Sequence, residues 1–235
     1  MDSSIIIARY KENIDWIKKL NISSKIIIYN KGVSFEDSKY YSVHDLPNVG
    51  RESHTWLYHI YHNYENLSDY NVFLQGRIDD LGCMAYINPK NYFSDLKTKS
   101  FSTSRLGLIS PFHWKPNLNI HKDSRYVKAW NSGELSRSII GFRKYAKLFF
   151  KDIPFFISTS YGGCFGVTKD AIKKHKKDFY YKLLLTVDKH PNPIESHFLE
   201  RLWCYMFSEN KYILNAISDV IKTKLERKMH INFQK

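Results

Sequence analysis

Three short apolar runs, Ile5-Ile6-Ile7-Ala8, Ile26-Ile27-Ile28-Tyr29 and Val72-Phe73-Leu74, set the terms on which this chain can fold. Each is too short for a helix and apolar at consecutive positions, so each reads as a strand covered on both faces. Between the first two, Ile14, Ile17 and Leu20 recur on one helical face, with Trp16 beside it and Lys18 and Lys19 opposite. The chain therefore opens as a βαβ unit.

Asn30-Lys31-Gly32 turns the chain, and a polar segment leads to Asn48-Val49-Gly50, where a longer helical pattern begins and runs through Trp56, Leu57, Ile60 and Tyr64. The third run reads as another parallel strand, ending in Gln75-Gly76-Arg77-Ile78-Asp79-Asp80 with two carboxylates at its carboxyl end. This alternation predicts an α/β fold with a mostly parallel sheet, whose ligands sit beyond the carboxyl ends of the strands.

Further on, a helix is expected from Asn88-Pro89, a weak strand at Leu106 to Ile109 and a long loop carrying Pro111, Trp114, Pro116 and His121. A helix follows over Ile139 to Phe150, then a strand at Phe155-Phe156-Ile157, and Thr168 is placed to cap a helix bearing Ala171 and Ile172. The last clear helix starts near Pro193 and runs through Phe198, Leu202 and Phe207, ahead of a basic amphipathic segment. No repeat or linker interrupts the chain.

The 36 Lys and Arg against 23 Asp and Glu give +13, which calls for an anionic partner, while 43% hydrophobic and 16% aromatic residues exclude a disordered basic tail. Cys83, Cys164 and Cys204 lack the paired spacing of a zinc site. Neither a leader-like start nor an apolar stretch of membrane-spanning length is present, so the expectation is a soluble, cytoplasmic protein with room for peripheral contact with an anionic membrane.

Several groups carry chemistry. Asp79 and Asp80 can hold a hard divalent cation on two phosphates, or simply form a solvated turn. Gly162 and Gly163 let the backbone approach a ligand, or form a tight turn. Glu195, three residues after Asn192 with Pro193 at the first helical position, completes a capping box or acts as a general base, and Arg201 follows six residues later. His54, His59 and His62 share a helix but lack a third zinc ligand, and no phosphate-loop, dinucleotide or serine-elbow motif occurs.

Taken in order, Ala8-Arg9-Tyr10-Lys11-Glu12, Asn48 to His54, Phe73 to Gly76, Gly162 to Phe165 and Leu199 to Trp203 resemble an uncharacterised family related to GT-A type glycosyltransferases. The resemblance implies one glycosyltransferase-like domain over residues 1–235, with a Rossmann-type, mostly parallel sheet flanked by helices and a basic segment from about residue 211 to 235. It further implies a nucleotide-sugar donor held by Arg9, Glu12, Asn30, Gly50, Arg51, Glu52, Gln75, Gly76 and Arg77. The family-like Asp-x-Asp is replaced by Asp79-Asp80, shifted in position, as the ligands of a Mn or Mg ion, and Arg77 offers a second positive charge on the diphosphate. Gly162, Gly163 and Arg201 would face a glycan or lipid-linked acceptor, and Glu195 would be the base of an inverting transfer. The competing readings are a non-catalytic module on nucleic acid or anionic membrane, and a degenerate transferase that binds sugar without turnover. Nucleic acid is disfavoured because no RNA-recognition signature is present.

Overall fold

The computed structural model describes residues 2–78, 88–104, 106–109, 124–136 and 140–209. Strands β1 (Ser3–Arg9), β2 (Lys25–Asn30), β3 (Ser42–Asp45), β4 (Tyr70–Gln75), β5 (Phe101–Ser102) and β8 (Phe165–Thr168) form one sheet in the order β3-β2-β1-β4-β8-β5. β1 pairs in parallel with β2 and β4, and β2 with β3, whereas β8 runs antiparallel to β4 and β5. β6 (Leu106–Ile109) and β7 (Ile157–Ser160) make a separate antiparallel pair. The fold is thus mixed α/β, with a six-stranded, mostly parallel sheet flanked by helices.

The isoleucine runs behave as strands covered on both sides. Ile6, Ile27, Tyr29 and Phe73 point to one face, where they join Trp56, Leu57 and Ile60 of α1 (Arg51–His62) and Phe198, Leu202 and Trp203 of α7 (Ile194–Phe207). Ile5, Ile7, Ile28, Val72 and Leu74 point to the other, against Ile17 and against Tyr92 and Leu96 of α2 (Pro89–Leu96). Alternate residues of one strand therefore enter different apolar layers. The remaining α-helices among the described residues are α3 (Ser124–Asn131), α4 (Phe142–Phe149), α5 (Lys169–Lys173) and α6 (Lys177–Leu184).

Four local expectations need correction. The helix between β1 and β2 is a single 3-10 turn, Asp15–Lys19, because Asn13 Oδ1 takes the Asp15 N–H at 2.7 Å and Leu20 is already extended. The polar segment after Gly32 contains β3, an edge strand with His44 and Asp45 exposed and no apolar run to announce it. β7 begins at Ile157, leaving Phe155 56% exposed outside it. The capping box at α7 does not form: Pro193 is the N-cap, and Asn192 Oδ1 instead accepts from His197 Nε2 at 2.9 Å. Thr168 does cap α5, accepting the Ala171 N–H at 3.2 Å.

The loop from Pro111 to His121, residues 79–87 and the basic segment beyond residue 209 lie outside the described residues. No helix among the described residues is long and apolar enough to cross a membrane.

Candidate functional site

The chain passes from β1 outward through β2 and β3, then returns to place β4 on the other side of β1. Such a reversal leaves a crevice at the carboxyl ends of the two strands that flank it. A cavity of about 290 Å³ opens there, lined by Ala8 and Arg9 at the end of β1 with Tyr10 and Glu12 beyond it, Lys31 after β2, Gln75 at the end of β4 with Arg77 beyond it, Asn48 ahead of α1, Arg51 and Glu52 in its first turn, and Pro191 ahead of α7. A larger cavity of about 500 Å³ lies at the amino end of β4, where Lys169 pairs with Asp69 at 2.9 Å and Lys174 with Glu209 at 3.4 Å. The first is the candidate site, because it lies at the sheet reversal with three arginines and Lys31 in its lining.

The strand ends fix the first wall. Arg9 Nη1 donates to Asn30 Oδ1 at 2.7 Å and Nε to the Glu12 carbonyl at 3.0 Å, and the guanidinium lies 4.4 Å from the Phe35 ring centroid. Asn30 in turn donates to Asp45 Oδ1 at 2.8 Å, linking the ends of β1, β2 and β3. Hydrogen bonds from Asn30 and then Ser34 hold the Asp45 carboxyl below its ordinary range. Glu12 folds back, its Oε2 accepting the Tyr10 N–H at 2.6 Å and the Lys11 N–H at 3.1 Å. It also packs on Gly76, where a Cβ would lie 3.0 Å from Glu12 Oε2 and 3.1 Å from Glu12 Cβ.

The second wall is a backbone knuckle at the start of α1. Gly50 has φ 60° and Arg51 φ 48°, a left-handed pair that a non-glycine residue adopts only when its surroundings impose it. The surroundings here are explicit. Gly50 and Arg51 donate their N–H groups to the carbonyls of His190 and Pro191 at 2.8 and 3.1 Å, and Ser196 Oγ donates to the Gly50 carbonyl at 2.9 Å. From beneath, Lys31 Nζ donates to the carbonyls of Val49 and Arg51, both at 2.5 Å. Burial pushes the Lys31 ammonium down to about 7, with the Glu52 carboxylate opposing that shift.

Glu52 stands between this knuckle and the double glycine. Burial raises its carboxyl, but the Arg51 guanidinium first, then its own N–H and the Lys31 ammonium, outweigh burial and hold it below its ordinary value. Arg51 Nε lies 3.4 Å from Glu52 Oε2. Gly163 has φ 68°, and a Cβ there would meet Glu52 Oε1 at 2.9 Å and Gln75 Nε2 at 3.3 Å. Trp56 Nε1 donates to the Gly163 carbonyl at 3.1 Å, and the Gln75 N–H reaches Cys164 Sγ at 3.3 Å. Burial pushes the Cys164 thiol far up, and the Glu52 and Glu200 carboxylates add to that, so this cysteine stays protonated.

Helix α7 supplies the outer support. Glu200 Oε1 accepts the Gly162 N–H at 2.8 Å, while its Oε2 takes Arg201 Nη1 at 2.9 Å. Arg201 Nη1 also donates to the His197 carbonyl at 2.9 Å, and its guanidinium lies 5.7 Å from the Tyr161 ring centroid. Burial, then repulsion from Arg51 and Arg201, drives His197 down to about 3, so it is neutral in the fold.

The expected donor residues Arg9, Glu12, Arg51, Glu52, Gln75 and Arg77 thus share one cavity, with Asn30, Gly50 and Gly76 directly behind them, and Gly162 and Gly163 adjoin it through Glu52 and Gln75. Arg201 is buried against Glu200 and does not line the cavity. Nor does Glu195, which is half-buried in the first turn of α7 and acts electrostatically on the buried Tyr145 hydroxyl. Asp79 and Asp80 lie outside the described residues, and among the described residues no three His, Cys, Asp or Glu side chains gather as metal ligands. His59 is committed to the Tyr29 hydroxyl at 3.0 Å.

Sequence reasoning missed Lys31, Asp45 and Glu200. Lys31 looked like a turn residue, and only the knuckle above it shows what its ammonium holds. Glu200 lies five residues past Glu195, which on a helix is a rotation of roughly 140°, so the two carboxylates face different neighbours.

A family model described as "Protein of unknown function (DUF3431)" matches residues 5–219. No curated protein and no solved structure matches the chain.

Proposed function

The chain belongs to the DUF3431 family, and we propose that its cavity binds the diphosphate of a nucleotide-sugar donor, whose sugar it transfers to a hydroxyl of a glycan or lipid-linked acceptor. The observation that carries this reading is the convergence of Arg9, Lys31, Arg51 and Arg77 on one cavity at the sheet reversal, against Glu12 and Glu52 among the described residues. Such a site suits a dianionic leaving group larger than a simple phosphate. On this reading the sheet is a GT-A type variant of the observed α/β architecture.

In the transfer, the acceptor oxygen attacks the anomeric carbon while the bond from that carbon to the diphosphate oxygen breaks and its electron pair leaves with the diphosphate. The acceptor proton passes to a carboxylate. Arg51 and Arg77 offset the charge that grows on the leaving group. The resemblance gives the base as Glu195, whereas the carboxylate beside both the cavity and the double glycine is Glu52. Mn or Mg enters this reading through Asp79 and Asp80 alone, so no step above depends on it.

Titration calorimetry with uridine, guanosine, adenosine and cytidine diphosphates, with and without manganese, tests the proposal. Saturable binding of at least one, weakened by Arg51→Ala, is expected. Folded protein that binds none under either condition would sink it. Thermal stabilisation by a panel of nucleotide sugars then identifies the donor.

A further inference from the structure

Helices α4 and α6 touch through Phe149 and Phe150 on Phe179, with ring centroids 6.2 and 5.7 Å apart, and through the Tyr145 hydroxyl, 2.9 Å from Thr186 Oγ1. These contacts join the end of α4 to the start of α6 and the middle of α4 to the end of α6, so the two helices run antiparallel. Phe142, Tyr145 and Ala146 of α4 and Tyr180, Leu183 and Leu184 of α6 are buried. Exposed to solvent are Lys144, Lys147 and Leu148, followed by Lys151, and Lys182 and Leu185, followed by Lys189, while Lys177 and Tyr181 lie against the Tyr61 ring of α1. Leu148, in the last turn of α4, is 67% exposed and Leu185, the C-cap of α6, 46% exposed, each with lysines one helical turn away. Lys182 pairs with Asp178 at 2.7 Å, but Lys144, Lys147, Lys151 and Lys189 have no acidic partner among the described residues.

We propose that this α4–α6 face docks on an anionic lipid bilayer, with Leu148 and Leu185 entering the headgroup boundary and the flanking lysines meeting lipid phosphates. Isolated leucines ringed by lysines on surface helices match the chemistry of that boundary, where apolar tips go in and ammonium groups stay at headgroup level. Nucleic acid fits less well, since leucine neither stacks on bases nor hydrogen-bonds to them, and the Tyr181 ring is already stacked on Tyr61 at 5.1 Å. A second copy of the same face would bring like charges together. The carboxyl end of α6 leads into His190 and Pro191, whose carbonyls hold the Gly50–Arg51 knuckle, so the face adjoins the cavity. The proposal stands whether or not that cavity takes a nucleotide sugar.

The test is co-sedimentation of the full chain with phosphatidylcholine vesicles, with and without 30 mol% phosphatidylserine, beside a single-stranded RNA competitor. Expected is binding to the anionic vesicles alone, weakened by salt and lowered about tenfold or more by Leu148→Ser with Leu185→Ser and by Lys144→Glu with Lys147→Glu. These sites are exposed, and unchanged thermal melts will show that the variants fold. Neutralising Lys222, Lys224, Arg227 and Lys228 with glutamine should leave most of the binding. Absence of vesicle binding overturns the proposal. So does binding that the face variants retain, that only the tail variant loses, or that RNA abolishes while binding the same face more tightly.

Discussion

Glu52 Oε1 fills the space that a Cβ on Gly163 would need, at 2.9 Å, so the carboxylate in the first turn of α1 and the backbone of the double glycine are parts of one wall. The glycine is required twice over, by its φ of 68° and by that contact. Gly163→Ala should therefore lower stability by about 1–3 kcal/mol, the usual cost of an imposed left-handed residue. It should also displace Glu52. Urea unfolding measures the first effect, and calorimetry with nucleoside diphosphates the second.

Arg51 carries the opposite compromise. Its φ of 48° is strained for a side chain and free of strain for glycine. Arg51→Gly should raise unfolding free energy by about 1 kcal/mol while weakening diphosphate binding about tenfold or more, since a charge-assisted contact is lost. Thermal unfolding and calorimetry on the same preparation would separate the two. A variant that is both less stable and equally tight in binding would contradict the role given to the knuckle.

Lys31 makes stability depend on alkaline pH. Burial lowers its ammonium from 10.5 to about 7, so between these values the unfolded chain holds a proton that the folded chain has released. Stability contributed by this group must then rise with pH from about 7 toward 10.5. Lys31→Met removes the titration, so the stability of the natural protein relative to the variant should improve between pH 7 and 9. Denaturant unfolding across that range is the check, and a difference that stays flat or falls would refute it.

Glu52 and Glu195 can be told apart kinetically. Glu52→Gln should lower turnover of the proposed transfer by 100-fold or more, on the order of a lost general base, with donor affinity changed much less. Glu195→Gln should lower it only slightly, because Glu195 does not line the cavity. Single-turnover assays with the donor identified by thermal shift would decide. The reverse ranking restores Glu195.

The parallel sheet was legible because burial on both faces writes itself into consecutive positions, as in Ile5 to Ile7 and Ile26 to Ile28, and needs no distant partner to be recognised. β3 was not, since an edge strand with His44 and Asp45 exposed borrows its order from the ladder with β2. Likewise the spacing from Gly50 to Gln75 and the end of each run could place Arg9, Arg51 and Arg77 near strand or helix ends.

The sequence by itself thus determined the three central parallel strands, their two-sided burial and the excess of positive charge. Tertiary structure alone decided what those charges do. Lys31 holds carbonyls 18 and 20 residues away, Gly162 meets Glu200 across 38, and the Tyr145 hydroxyl meets Thr186 across 41. Side-chain burial, and with it pKa and strain, depends on neighbours that arrive from remote parts of the chain. Local pattern records only which residues can be covered, not what covers them.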